Sequence, residues 1–323
     1  MSEFEEGAKA VAATMNAGEK LVDVLEKATC GLLKLRQMIR KAKATAKVMD
    51  IIADAAKKHP EIAFKYEDEE IMISNELQSL SFRAANRLAL TEVIKQVNIE
   101  SVVSQSYDEL KNEDIDKNNE VDRDWVLRFF SSIENVSDEN MQKVWSKILS
   151  GKIRTPKKYS LRTIDILSNL SKEDCEFIQF VSQFVVESGN SCFIYNNQKL
   201  LEKYNINFDK LLYLQELNII HSSNFTNITR ITDNKISVIF KHCNHVLLCN
   251  KEGEHVQIPV YTFTKSGIEI LGLVPAIKDV DFSLDMFKCI CEKNVQLSCH
   301  KIISENGEEI QYTLKSVFDN GNI

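Results

Sequence analysis

The stretch VSDENMQKVWSKILSGKIRTPKKYSLRTIDILSNLS, residues 136–171, does more than any other part of the chain to limit what it can fold into. Helix start and stop signals stand so close together there that only short helices joined by tight turns satisfy them. Ser137 reads as an N-cap, with Asp138 and Glu139 in the first turn, where the positive end of a helix dipole favours anions. Met141, Val144, Trp145, Ile148 and Leu149 recur at helical spacing and form an apolar stripe. Gly151 reads as the glycine that ends this helix. RTPKKY is then a short connector, Ser160 caps the next helix, and Ser171 with Asp174 forms a capping box. Just upstream, DRDWVLRFFSSIEN sets Trp125, Phe129 and Phe130 on one helical face. Aromatic rings on such a face bury large apolar areas, so they read as core rather than as the lining of a pocket. Each cap is worth ~1 kcal/mol, which explains the hydroxyls here without a reaction.

The rest of the chain sorts around this segment. Residues 8–58 read as helical, with Leu21, Val24, Leu25, Ala28, Leu32, Leu35, Met38, Ile39 and Ala42 in register until His59-Pro60 ends the pattern. The acidic piece KYEDEE separates them from a second long helix expected over about 71–106. YDELKNEDIDKNNEVDRD is too polar to bury much and suits a solvated linker. Further on, LLEKYNINFDKLLYLQELNII reads as two short helices, the second ending near Asn218. The alternating runs ISVIF, HVLLC and VQIPVYTF follow, and TKSGIEIL closes a winged-helix-like order of elements. A turn at Asn306-Gly307 in the alternating tail marks a further hairpin. The expectation is an α+β chain, mainly α, in five parts. Long N-terminal helices (1–106) and an acidic linker (107–121) precede a central helical bundle (122–187). A C-terminal winged-helix-like α/β module (188–275) and a β-rich extension with an added β-hairpin (276–323) complete it.

Composition narrows the function classes. A formal net charge of -7 argues against a chain that coats nucleic acid wholesale. Eight cysteines are dispersed, and Met1 leads into acidic SEFEE rather than a basic export signal, so reduced thiols and a cytoplasmic location are expected. No apolar run approaches the ~18 residues of a membrane span.

Chemistry is hard to find. KHCNHVLLC offers His242, Cys243, His245 and Cys249, with His255, Cys289, Cys291, Cys299 and His300 further on. No C-x₂₋₄-C knuckle organises them, and Cys289 with Cys291 is expected on one strand face of a packed core, so neither metal nor cofactor is expected. There is no nucleophile elbow, P-loop, dinucleotide fingerprint or H-E-x-x-H, and no catalytic residue is assigned. Asp122 and Asp124 read as a helix start rather than as metal ligands. Residues 34–47 carry Lys34, Arg36, Arg40, Lys41, Lys43 and Lys47 without an acid. A solvated face, a contact to the acidic linker or a partner helix is favoured there over an anionic membrane surface or a nucleic-acid backbone. Across 191–275 eight Lys and Arg stand against seven Asp and Glu. The second short helix sets Lys210, Gln215 and Asn218 against Asp209 and Glu216, so the module reads as protein-docking or structural before it reads as DNA-binding.

The central segment resembles a group of uncharacterised bacterial proteins, domain-of-unknown-function family 2806. The resemblance rests on a D-W-x-x-R-F-F element (Asp124, Trp125, Arg128, Phe129, Phe130) and on V-S-D-E-x-M-Q-x-x-W (Val136, Ser137, Asp138, Glu139, Met141, Gln142, Trp145). Lys147, Ile148, Leu149 and Gly151 match a K-I-L-x-G helix end, and Ser160, Leu161, Arg162 and Thr163 match S-L-R-T after Pro156. IRKAKATAK (39–47) and VYTFTKSGIEIL are similar to the family's basic helix and to its closing strand and helix. At Lys157-Lys158 many relatives have glycine and serine, so the turn there differs. The group is distantly similar to abortive-infection alpha proteins, which implies anti-phage defence by analogy. The function expected is that of a non-enzymatic binding protein with a protein partner or a second copy. The alternatives are a winged-helix DNA-binding regulator and a peripheral membrane effector acting through residues 18–47.

Overall fold

The computed structural model describes residues 14–29, 63–67, 70–74, 80–116, 120–188, 191–222, 225–230, 237–249, 255–275, 277, 279–293, 297–306 and 309–319. The chain divides into two compact units, 1–168 and 169–323. That division falls inside the 122–187 segment that reads as one helical domain in the sequence. The basic residues Lys34 to Lys47 lie outside the described residues.

Unit 1 is helical. Strand β1 (Thr14–Asn16) leads into helix α1 (Ala17–Ala28), whose N-cap Asn16 accepts from the amides of Gly18 and Glu19. Leu21, Val24, Leu25 and Ala28 are buried, as their spacing demands. Strands β2 (Ala63–Glu67) and β3 (Glu70–Ser74) form an antiparallel hairpin where the sequence suggests the start of a helix at 71. Helix α2 spans Leu80–Leu110. Within the stretch read as an acidic linker, helix and strand residues are found. Residues 107–110 are the last turn of α2, and β4 (Asp114–Asp116) pairs antiparallel with β1. Polar composition misleads here because what holds the segment is backbone pairing with a strand about a hundred residues away.

Helices α3 (Arg123–Ile133), α4 (Glu139–Arg154) and α5 (Leu161–Ser168) follow. Asp122 caps α3 by accepting from the Trp125 amide at 2.8 Å, and Ser160 accepts from the Thr163 amide at the start of α5. Two expectations are corrected. The N-cap of α4 is Asp138, which accepts from the Met141 amide at 2.9 Å, and not Ser137. Gly151 does not end α4; the helix continues to Arg154, and Tyr159 folds back over the glycine. A Cβ at Gly151 would stand 2.6 Å from the Tyr159 ring, so this glycine serves a close approach rather than a stop. We expect Asp138→Ala to lower stability by about 1 kcal/mol, and Ser137→Ala by markedly less. Urea melts of the two variants check this.

Unit 2 is built on an antiparallel sheet. Helix α6 (Lys172–Val181) opens with the expected box: Ser171 accepts from the Asp174 amide, and the Asp174 carboxylate accepts from the Ser171 amide. Strands β5 (Val186–Ser188) and β6 (Ser191–Tyr195), helices α7 (Gln198–Lys203) and α8 (Phe208–Glu216) and strand β7 (Phe225–Arg230) come next. Both short helices end in a left-handed asparagine, Asn205 at φ 62° and Asn218 at φ 57°. Strands β8 (Ser237–His242), β9 (His245–Cys249) and β10 (His255–Thr262) precede helix α9 (Lys265–Leu271). The tail supplies helix α10 (Val280–Lys293) and strands β11 (Leu297–Asn306), β12 (Glu309–Tyr312) and β13 (Phe318–Asp319).

Among the described residues the strands join in the order β12-β11-β9-β8-β5-β6-β10-β7, with β13 also on β11. The hairpin expected at Asn306-Gly307 is present, with Asn306 opposite Glu309. Strand β11 of the tail pairs along β9. Cys289 and Cys291 lie on α10 and not on a strand; Phe282, Met286, Phe287, Ile290 and Cys291 form its buried face. Alternation over a short window does not separate such a helix from a strand.

Candidate functional site

The motif residues divide into an inner set and an outer set. Trp125, Phe129 and Trp145 are at most 2% exposed. The Phe129 ring stacks on Trp125 with centroids 5.2 Å apart and meets Trp145 edge-on at 5.6 Å. Phe130, Ile148 and Leu149 complete this core, which is what an amphipathic spacing of large apolar residues should produce.

One knot in this core escapes sequence reasoning. The Trp125 Nε1–H donates to the Tyr159 carbonyl at 2.8 Å. The ammonium of Lys152, itself 6% exposed, donates to the carbonyls of Lys158 and Tyr159 and lies 4.8 Å over the Trp125 ring. Tyr159 is held at φ 55°, a left-handed conformation costly for a bulky residue. Two groups, the Trp125 indole and the Lys152 ammonium, converge on the Tyr159 carbonyl, and together they hold the α4–α5 turn against α3. The only signal in the sequence is an aromatic residue ahead of a serine cap, which looks like any connector.

The polar members of the inner set form a clasp between α2 and α4. Gln142, 6% exposed, accepts from Ser101 at 2.7 Å and donates to the Val136 carbonyl at 2.8 Å. Asn98 donates to the Glu134 carbonyl and, at 3.4 Å, to Ser137 Oγ. Farther along, Ser106 donates to the Ser146 carbonyl, and Ser150 donates to Glu109 at 2.5 Å. Arg154 then grips Glu113 through two bonds of 2.7 and 2.8 Å. Partner numbers rise together, so the two helices run in the same direction with a ladder of polar contacts between them. Buried polar groups satisfied in this way fix register.

The Arg154 guanidinium holds the Glu113 carboxyl below the ordinary carboxylate range. A folded value below the unfolded ~4.3 means the pair stabilises above that pH and ceases to do so as pH falls through the depressed value. Both side chains are more than a third exposed, so the effect is under about 1 kcal/mol. Glu113→Gln is expected to shrink the loss of melting temperature on acidification, and a pH series of thermal melts reads it.

The outer set behaves differently. Asp124 and Glu139 are exposed first-turn acids, and Arg162 is exposed on α5. Arg128 pairs with Asp165 across α3 and α5 at 2.9 Å, where both remain largely solvated. Thr163 is buried with its hydroxyl 3.0 Å from Ser160 Oγ. A shallow cavity of ≈ 220 Å³ beside α1 is lined by Lys20, Asp23, Lys27, Glu120 and Arg123, with both signs of charge and no preference for either.

Among the described residues no group of His, Cys, Asp and Glu is arranged to hold a metal ion. His242 bonds the Gln183 carbonyl at 2.8 Å, and His300 bonds the Thr313 carbonyl and Ser298. Burial pushes the Cys299 thiol up to about 12 and the Cys192 thiol to about 11, so neither is a thiolate at neutral pH. No described helix is long and apolar enough to cross a membrane.

In unit 2 the face of α8 is the most unusual surface. Phe208 is 62% exposed and Tyr213 41%, with Leu212 between them. The lysine of this helix does not point outward as a reader of phosphates would. The Lys210 ammonium donates to the Asn205 carbonyl at 2.7 Å and sits 5.0 Å over the Phe180 ring.

The model of the family described as "Protein of unknown function (DUF2806)" matches residues 82–287. No curated protein and no solved structure matches the chain.

Proposed function

The chain belongs to the DUF2806 family, and on that premise we propose that it is a binding protein and not an enzyme. The observation that carries this reading is the fate of the motif. Its aromatic residues are core, its buried amide and hydroxyls are tied into the α2–α4 clasp, and Asp138 and Ser160 are caps. Asp124, Arg128, Glu139 and Arg162 are the members left at the surface, so the polar surfaces around this frame carry the function.

Residues 188–275 are read as a winged-helix-like unit. β6, α7, α8, β7 and β10 occur in that chain order, and β10 lies between β6 and β7 in the sheet. Its use for protein contact is favoured over DNA by the inward engagement of Lys210 and by the near balance of charge across the unit. A place for the protein in anti-phage defence is proposed by analogy alone, from a distant resemblance to abortive-infection alpha proteins. Cells carrying the gene are expected to yield at least about tenfold fewer plaques with some phages of a panel than cells carrying a Trp145→Ala control. Equal plaque counts for every phage would end the defence reading. Fluorescence anisotropy on random duplex DNA is expected to stay flat at low salt, and saturable, salt-sensitive binding would replace protein docking with DNA binding.

A further inference from the structure

We propose that the joined outer faces of α6 and α8 dock an amphipathic, basic helix of a partner protein. The inference rests on the binding-protein reading and names its surface. The two helices are fastened side by side: the Phe177 and Tyr213 rings are 5.7 Å apart, and the Tyr213 hydroxyl donates to Asp174. Phe208 and Leu212 lie one turn apart on the outer side of α8, next to Tyr213. A helix of this length, about 13 Å at 1.5 Å per residue, offers two turns of apolar contact to a partner helix.

Charge decides the partner's chemistry. Glu173, Glu176, Asp209 and Glu216 are exposed around the apolar rings. Of the two lysines on these helices, Lys210 is turned onto Asn205 and Phe180, and Lys172 stands 3.9 Å from Glu176. Among the described residues the carboxylates of Asp209 and Glu216 have no ion-pair partner. An apolar centre rimmed by unpaired carboxylates favours lysine and arginine flanking apolar anchors, and it repels a phosphate backbone.

The test uses the full chain and a helix-forming leucine/lysine peptide as the probe, followed by fluorescence anisotropy. Saturable binding is expected, with the leucine/glutamate counterpart and random duplex DNA not binding. The double variant Asp209→Lys, Glu216→Lys is expected to lose at least about tenfold in affinity, as is Leu212→Ser, with circular dichroism melts unchanged because these positions are exposed. The matched reversal Glu292→Lys, on the exposed side of α10, is expected to bind as the parent does. Equal binding of both peptides, undiminished affinity in the double variant, equal loss in Glu292→Lys, or tighter binding of DNA would each overturn the proposal. Concentration-dependent self-association of the chain, abolished by the double variant, would assign the face to a second copy instead. Plaque protection that persists in the double variant would remove this surface while leaving the binding-protein reading intact.

Discussion

Trp145→Ala is expected to unfold unit 1 under conditions in which the parent is fully folded. The indole is 1% exposed and meets Phe129 edge-on, and Phe129 in turn stacks on Trp125. Removing it deletes the transfer free energy of a large ring and leaves a cavity, because neighbours tied to the Tyr159 peptide cannot collapse into the space. Such truncations cost roughly 3–5 kcal/mol, against a total of about 5–15 kcal/mol for a domain. Urea denaturation followed by the emission of the remaining Trp125 reads the loss directly. An unchanged midpoint would mean that the indoles are not the keystone of the bundle and that a pocket should be sought beside them.

Gly267→Ala should be as damaging to unit 2, and for a different reason. A Cβ there would lie 2.1 Å from the Ile219 carbonyl oxygen and 2.9 Å from its carbon. Those atoms are backbone and cannot step aside. Ile219 is fixed by its amide to the Leu214 carbonyl and by the Thr264 amide on its own carbonyl, both at 2.9 Å, and Ile220 bridges to Phe263. One methyl therefore has to separate α9 from the end of α8, at a cost of about 3 kcal/mol or more. Gly272 is the internal control. Its nearest neighbours would be 3.6 Å away, so Gly272→Ala is expected to be neutral or to stabilise by about 0.4–1 kcal/mol through the unfolded chain. Equal melting of the two alanine variants would sink the close-approach argument.

The two glycines show where sequence reasoning stops. Gly151 looks like a helix stop, and it is instead the floor on which Tyr159 lies. Gly267 carries no turn signal at all, yet it permits a backbone crossing with a residue almost fifty positions earlier. Likewise Asp138 displaced Ser137 as a cap by a single residue, a choice between two adjacent competent groups that depends on how the preceding turn enters the helix. Gln142 and Asn98 read as ordinary amides, and only their mutual approach across 44 residues makes them a clasp.

What the amino-acid order determined by itself was local. Asp122, Ser160 and the Ser171–Asp174 box act on amides within three residues, and the aromatic spacing of α3 and α4 is set by 3.6 residues per turn. The helix end at Asn218 and the pairing of Asn306 with Glu309 belong to the same class of short-range physics. Tertiary structure alone decided the rest. It made α10 a helix by burying Phe282, Met286 and Ile290, drew 114–116 into a strand with residues 14–16, and folded Lys210 back onto Asn205 and Phe180. Each of these outcomes is set by partners far along the chain, whose positions exist only once the core has closed around them.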